Sequence, residues 1–76
     1  MIESLLNIVN IVLANRGKKM ANSISPTSNL RYDLGFDSLD LAELTVRIEA
    51  DYDVDIFEGG IVNTIGEILE KIYPKE

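Results

Sequence analysis

Three stretches of this 76-residue chain place apolar residues at the spacing of an α-helix. Ile2, Leu5, Leu6, Val9, Val12 and Leu13 form an i, i+3, i+4 stripe, widened by Ile8 and Ile11, with Glu3, Asn7 and Asn10 on the wet side. A face that wide calls for more than one neighbouring helix. Gly17 follows it, and Arg16, Lys18 and Lys19 lie near its carboxyl end, where cations suit the helix dipole. The second helix is predicted to start at Asp37 or Ser38 and run to about Tyr52. Asp37 is its N-cap and Asp40 adds acidic charge to its first turn. Leu41, Leu44, Ile48 and Tyr52 give one apolar stripe; Leu39, Ala42 and Val46 give a second beside it. The third runs from Thr64 to about Tyr73, where Thr64-Ile65-Gly66-Glu67 fits a capping box, Ile65, Ile68, Leu69 and Ile72 form the buried face, and Pro74 ends the helix.

Between the first two helices, residues 17–36 are rich in turn residues from Asn22 to Asn29. A connection of that length inside a small domain is often functional. Its apolar residues Ile24, Leu30, Tyr32, Leu34 and Phe36 predict that it is pegged over the bundle. Residues 53–63 can form a short helical turn, which Gly59-Gly60 disfavours. The alternation over 51–56 is also compatible with an edge strand, but nothing else reads as its pairing partner. The consistent architecture is all-α: one domain over residues 1–76, a small three- to four-helix bundle with a long loop between the first and second helices. Leu41, Leu44, Ile48, Tyr52, Ile56, Ile65 and Ile68 are its candidate core.

The chain has no cysteine and no histidine. Disulfides, protein thiolates and the usual zinc ligands are therefore excluded, as is the commonest general base at neutral pH. The net charge of −6 is unevenly placed: residues 33–58 carry nine acidic side chains against Arg47, so that segment is −8 and the remainder +2. Nucleic acid is a poor partner for such a surface and a basic protein face a good one. The apolar amino-terminal stretch lacks a basic flank and is interrupted by Glu3, Asn7 and Asn10. It also falls short of a membrane span, so a cytoplasmic monomer is expected.

The informative run is Asp33-Leu34-Gly35-Phe36-Asp37-Ser38-Leu39-Asp40-Leu41-Ala42-Glu43-Leu44. It offers a serine at the start of an acidic amphipathic helix, where an esterified phosphate would sit near unpaired N–H groups and the positive helix end. Ser38 is not a self-sufficient hydrolase nucleophile, because no histidine exists to take its proton and no Gly-x-Ser-x-Gly elbow surrounds it. Chemistry at Ser38 is then done to it by another enzyme. Asp51, Asp53 and Asp55 suggest a calcium loop, but position six from Asp51 is Ile56 and position twelve is Val62, so the EF-hand pattern fails and only loose divalent-cation binding at this cluster is left open.

The run resembles the attachment motif of acyl carrier proteins, Asp-Leu-Gly-x-Asp-Ser-Leu, and the likeness extends at residue level from about Leu30 to Ile56. It implies that Ser38 receives 4′-phosphopantetheine from coenzyme A through a phosphopantetheinyl transferase and Mg²⁺. The arm's thiol would then hold acyl groups as thioesters. Asp37 and Leu39 flank that attachment point, and Asp37, Leu39, Asp40, Glu43, Val46 and Glu49 match positions that face basic, partly apolar patches on partners. Those partners would be the transferase, an acyl ligase or acyltransferase, and ketosynthase-type or other acyl-using enzymes. The chain itself would not be an enzyme, and no resident metal is implied. An aminoacyl or peptidyl carrier shares the arm, and an unmodified acidic adaptor shares the charge; Phe36-Asp37 and the −8 segment favour acyl cargo. Arg47, the Phe57-Glu58-Gly59-Gly60 segment and the polar loop depart from the housekeeping pattern. They predict a short, frayed or absent helix near residue 57 and a carrier dedicated to one pathway.

Overall fold

Helix α1 spans Ile2–Asn15, α2 spans Ser38–Tyr52 and α3 spans Ile65–Ile72 in the computed structural model, which describes residues 2–72. The predicted carboxyl end of α3 at Tyr73 and its stop at Pro74 lie outside the described residues. From α1, Leu5, Ile8, Val9, Val12 and Leu13 are buried. Ile11 is not, with 45% of its surface exposed, so the stripe is narrower on that side than predicted. From α2, Leu41, Leu44 and Ile48 enter the same core, and from α3, Ile65 and Ile68. Tyr52, Leu69 and Ile72 pack around its edge. Among the described residues there is no strand; Asn29 and Thr64 form an isolated antiparallel bridge.

The long connection is built into the domain. Leu30 and Phe36 are core residues, and Ile24 and Leu34 pack against the core. Each buried apolar side chain of this size stabilises by roughly 1.5–3 kcal/mol, enough to hold the segment down. Tyr32 is the exception: it is 89% exposed and pegs nothing. Asn10, on the wet face by its spacing, clamps the connection. Its side-chain amide donates to the Ala21 carbonyl at 2.9 Å, and its oxygen accepts from the Ala21 N–H at 2.7 Å.

A second clamp joins the connection to the start of α3. The N–H groups of Leu30, Ile65 and Gly66 donate to the carbonyls of Asn63 (2.8 Å), Ser28 (3.0 Å) and Pro26 (2.8 Å). A Cβ on Gly66 would lie 2.8 Å from that Pro26 oxygen, so the approach requires glycine. The radius of gyration, 11.3 Å, is that of a folded-down chain rather than one with a splayed loop, for which about 11 Å marks the compact limit.

After α2 the chain turns. Asp53 adopts a left-handed conformation, with φ 58°, and its N–H returns to the Glu49 carbonyl at 2.8 Å. Residues 56–59 form turns and no helix, while Ile56 and Val62 are buried and hold this segment to the core. The bundle therefore has three helices among the described residues, as Gly59-Gly60 leads one to expect. None is long and apolar enough to cross a membrane.

Candidate functional site

The start of α2 is fixed by two carboxylates on either side of Ser38. Asp37 is the N-cap, and its Oδ1 accepts from the N–H groups of Leu39 and Asp40, both at 3.0 Å. Asp40 reaches back, its Oδ2 accepting from the Asp37 N–H at 2.9 Å. This is a reciprocal capping box with aspartate at the third helical position. Ser38 is the first residue of the helix and is exposed. One expectation needs correction. Three of the N–H groups at this helix start are not free for a phosphate: Asp37 Oδ1 takes those of Leu39 and Asp40, and the Asp37 carbonyl accepts from Leu41 at 3.0 Å. An ester at Ser38 would feel the helix end's positive field without those donors.

Asp40 is also displaced from its predicted role. The resemblance implies a partner-facing carboxylate here, but its side chain has 0% exposure. The reason lies at the end of α1. Lys18 N–H donates to the Leu13 carbonyl at 2.8 Å and Gly17 N–H to that of Ala14 at 3.0 Å, a Schellman closure with Gly17 at φ 70°. That closure sends Arg16 and Lys18 toward α2. Arg16 Nε donates to Asp40 Oδ1 at 2.9 Å, and Lys18 Nζ donates to Asp40 Oδ2. Lys18 also reaches the Gly35 carbonyl at 2.9 Å and Asp37 Oδ2 at 3.3 Å, and Arg16 Nη2 lies 3.8 Å from the same Asp37 oxygen.

Every buried side-chain polar atom among the described residues has a partner, so Asp40 is fully satisfied. The hydrogen bond that Lys18 donates to Asp40 chiefly raises the Lys18 pKa above the ordinary lysine value, against partial desolvation. The Asp37 carboxyl is held below its ordinary value, first by the Asp40 N–H and then by Lys18.

The other predicted residues lie on the surface of α2. Leu39 and Val46, seven residues apart and so on one face, are 64% and 67% exposed. Glu49 is exposed, and Asp37 is half-exposed beside them. Glu43 is half-buried and accepts at 3.0 Å from both Asn15 Nδ2 and Arg47 Nε. Those two contacts, Asn15 first, hold its pKa below the ordinary value. Arg47, unexpected on this helix, thus pairs with its own i−4 neighbour and leaves Leu39 and Val46 uncovered.

Sequence reasoning assigned Arg16 and Lys18 only to the α1 dipole. The signal that could have found them is the charge imbalance itself: two cations just past one helix and an uncompensated acidic start to the next. It also missed Ile61, a large apolar side chain left 75% exposed. Among the described residues no group of three acidic side chains is arranged to hold a metal ion, so Asp51, Asp53 and Asp55 do not converge.

Residues 18–72 match the protein family described as a phosphopantetheine attachment site. An acyl carrier protein of Picosynechococcus sp. is 40% identical over 57 residues, covering 72% of this chain and 70% of that protein. No solved structure is a significant match.

Proposed function

The chain belongs to the acyl carrier proteins, with their phosphopantetheine attachment domain, and we propose that Ser38 is the residue that bears the arm. Membership makes it a carrier acted on by other enzymes rather than a catalyst, with 4′-phosphopantetheine as its covalent cofactor. When bound, the arm supplies a thiol that holds acyl groups as thioesters, a function for which this cysteine-free chain has no group of its own. Ser38 fits the attachment chemically: it is an exposed hydroxyl on the first residue of a capped helix, inside the matched span. The observation that carries the reading is this exposed serine within Asp33-Leu34-Gly35-Phe36-Asp37-Ser38-Leu39.

The surface of α2 is the face offered to acyl-handling partners. Leu39 and Val46 form its apolar centre, with Asp37, Glu43 and Glu49 around them. The −8 segment suits basic partners, and the encounter rate should fall with salt. The transferase, an acyl ligase or acyltransferase and a ketosynthase-type enzyme are the partners this surface would serve. Arg47 and the Phe57–Gly60 turn support a carrier dedicated to one pathway, which we place in the cytoplasm as a monomer. A generic fatty-acid ketosynthase elongating its acyl form as well as a housekeeping carrier's would remove that support.

The test of the site is intact mass before and after incubation with coenzyme A, Mg²⁺ and a broad-specificity phosphopantetheinyl transferase. The parent should gain one phosphopantetheine and Ser38→Ala none. A folded, previously unmodified parent that gains nothing, even with a transferase from its own source, would return the chain to the unmodified-adaptor reading.

A further inference from the structure

Building on the Ser38 reading, we propose that Asp40 is a positioning residue for arm attachment, a buried strut that fixes the serine's turn to the end of α1 through Arg16 and Lys18. It is not a contact for partner enzymes.

The geometry supports this in three steps. Asp40 has no accessible surface, so a partner cannot touch it without opening the domain. Both of its oxygens are engaged, Oδ1 by Arg16 and Oδ2 by Lys18 and the Asp37 N–H. Finally, Lys18 holds both sides of the serine at once: the Gly35 carbonyl and Asp37 before it, and Asp40 after it. The origin of the strut is itself rigid, because the Schellman closure fixes Lys18 to Leu13. Ser38 therefore sits on a turn referenced to the α1 side of the core, and a transferase meets a hydroxyl already in place rather than one it must order.

A partner contact and a strut predict opposite signs for the cations. Removing Lys18 from the carrier makes it more acidic, which by electrostatics alone quickens its encounter with a basic enzyme. Removing it from a strut slows the transfer step instead. The experiment measures arm transfer by intact mass over a range of carrier and salt concentrations, for the parent, Asp40→Asn, Lys18→Gln and Lys18→Arg. Amide hydrogen exchange at Asp37, Leu39 and Asp40 is followed in the unmodified proteins.

Lys18→Gln and Asp40→Asn should each lower kcat on the order of five- to tenfold, with KM changed far less, since small misplacements of a reacting group cost rate rather than affinity. The salt slope of kcat/KM should stay that of the parent for Asp40→Asn, exchange at the three amides should quicken, and Lys18→Arg should recover most of the rate. If Asp40→Asn raises KM and flattens the salt slope at unchanged kcat, Asp40 is a partner contact and the proposal falls. Unchanged or faster transfer by Lys18→Gln overturns it equally, and this variant alters a side chain already one-third exposed, so it remains informative should Asp40→Asn fail to fold. A parent that never gains the arm fails the Ser38 reading; a parent that gains it while the variants behave identically fails this one.

Discussion

Helices α2 and α3 both begin with a capping side chain and an acidic residue three positions later that reaches back, yet only in α2 is that acidic group buried. At α3, Glu67 Oε1 accepts from the N–H groups of Asn63 (3.0 Å) and Thr64 (3.1 Å), and Thr64 Oγ1 accepts from the Glu67 N–H at 3.3 Å. Its partners are all local, and it stays half-exposed. At α2, the same device brackets the exposed Ser38, and its Asp40 is then covered by Arg16 and Lys18 from another helix end. The local hydrogen bonds are nearly equal; the tertiary surroundings differ. A capping box reports where a helix starts, and its neighbours determine whether it also anchors something.

That contrast can be broken by substitution. Asp40→Ala should cost about 2–3 kcal/mol in denaturant unfolding. It removes a buried charge's role in an ion pair and leaves two cations that are only partly hydrated, which keeps the loss below the 3–5 kcal/mol of a fully buried pair. Glu67→Ala should cost roughly 1 kcal/mol, the value of a local cap. Equal losses would mean that the cations contribute nothing at α2.

Gly66→Ala tests the other helix start. Besides its cap, α3 depends on a close backbone approach, so a methyl group 2.8 Å from the Pro26 oxygen should destabilise by about 1–3 kcal/mol. It should also quicken amide exchange at Leu30 and Ile65. A stable Gly66→Ala protein with unchanged exchange would show that the clamp can move aside without consequence.

The smallest effect is with pH. Asp37 and Glu43 have folded pKa values below their unfolded ones, so their stabilisation is present above about pH 4 and is lost as pH falls through the folded values. Thermal melts from neutral to pH 2 should show this loss. It should be smaller in Lys18→Gln, because Lys18 is one of the groups that depress Asp37. An identical acid profile in that variant would remove Lys18 from the account. Lys18 itself has a raised folded pKa, so its contribution is complete below the usual lysine range and is lost only at more alkaline pH.

Much of the fold was legible because helices announce themselves locally. The stripe of Leu41, Leu44 and Ile48, the N-cap at Asp37 and the box at Thr64 and Glu67 follow from spacing and residue type, and all three are in place. Asn10, Tyr32 and Asp40 were misplaced for one shared reason. Each was judged by polarity or size, whereas its burial depends on what the long connection or the next helix brings to it. Asn10 meets the Ala21 backbone, Tyr32 meets solvent and Asp40 meets two cations.

By itself, the sequence determined three helical segments, the absence of any histidine or cysteine chemistry, and a serine set in an acidic helix start, since period, composition and motif are properties of neighbours along the chain. The tertiary structure alone decided which carboxylates around that serine face outward and which face inward. Once the Schellman turn at Gly17 directs Arg16 and Lys18 onto α2, desolvation becomes bearable for one acidic residue, and the residue it selects is Asp40, while Asp37 stays half-exposed and Glu49 exposed.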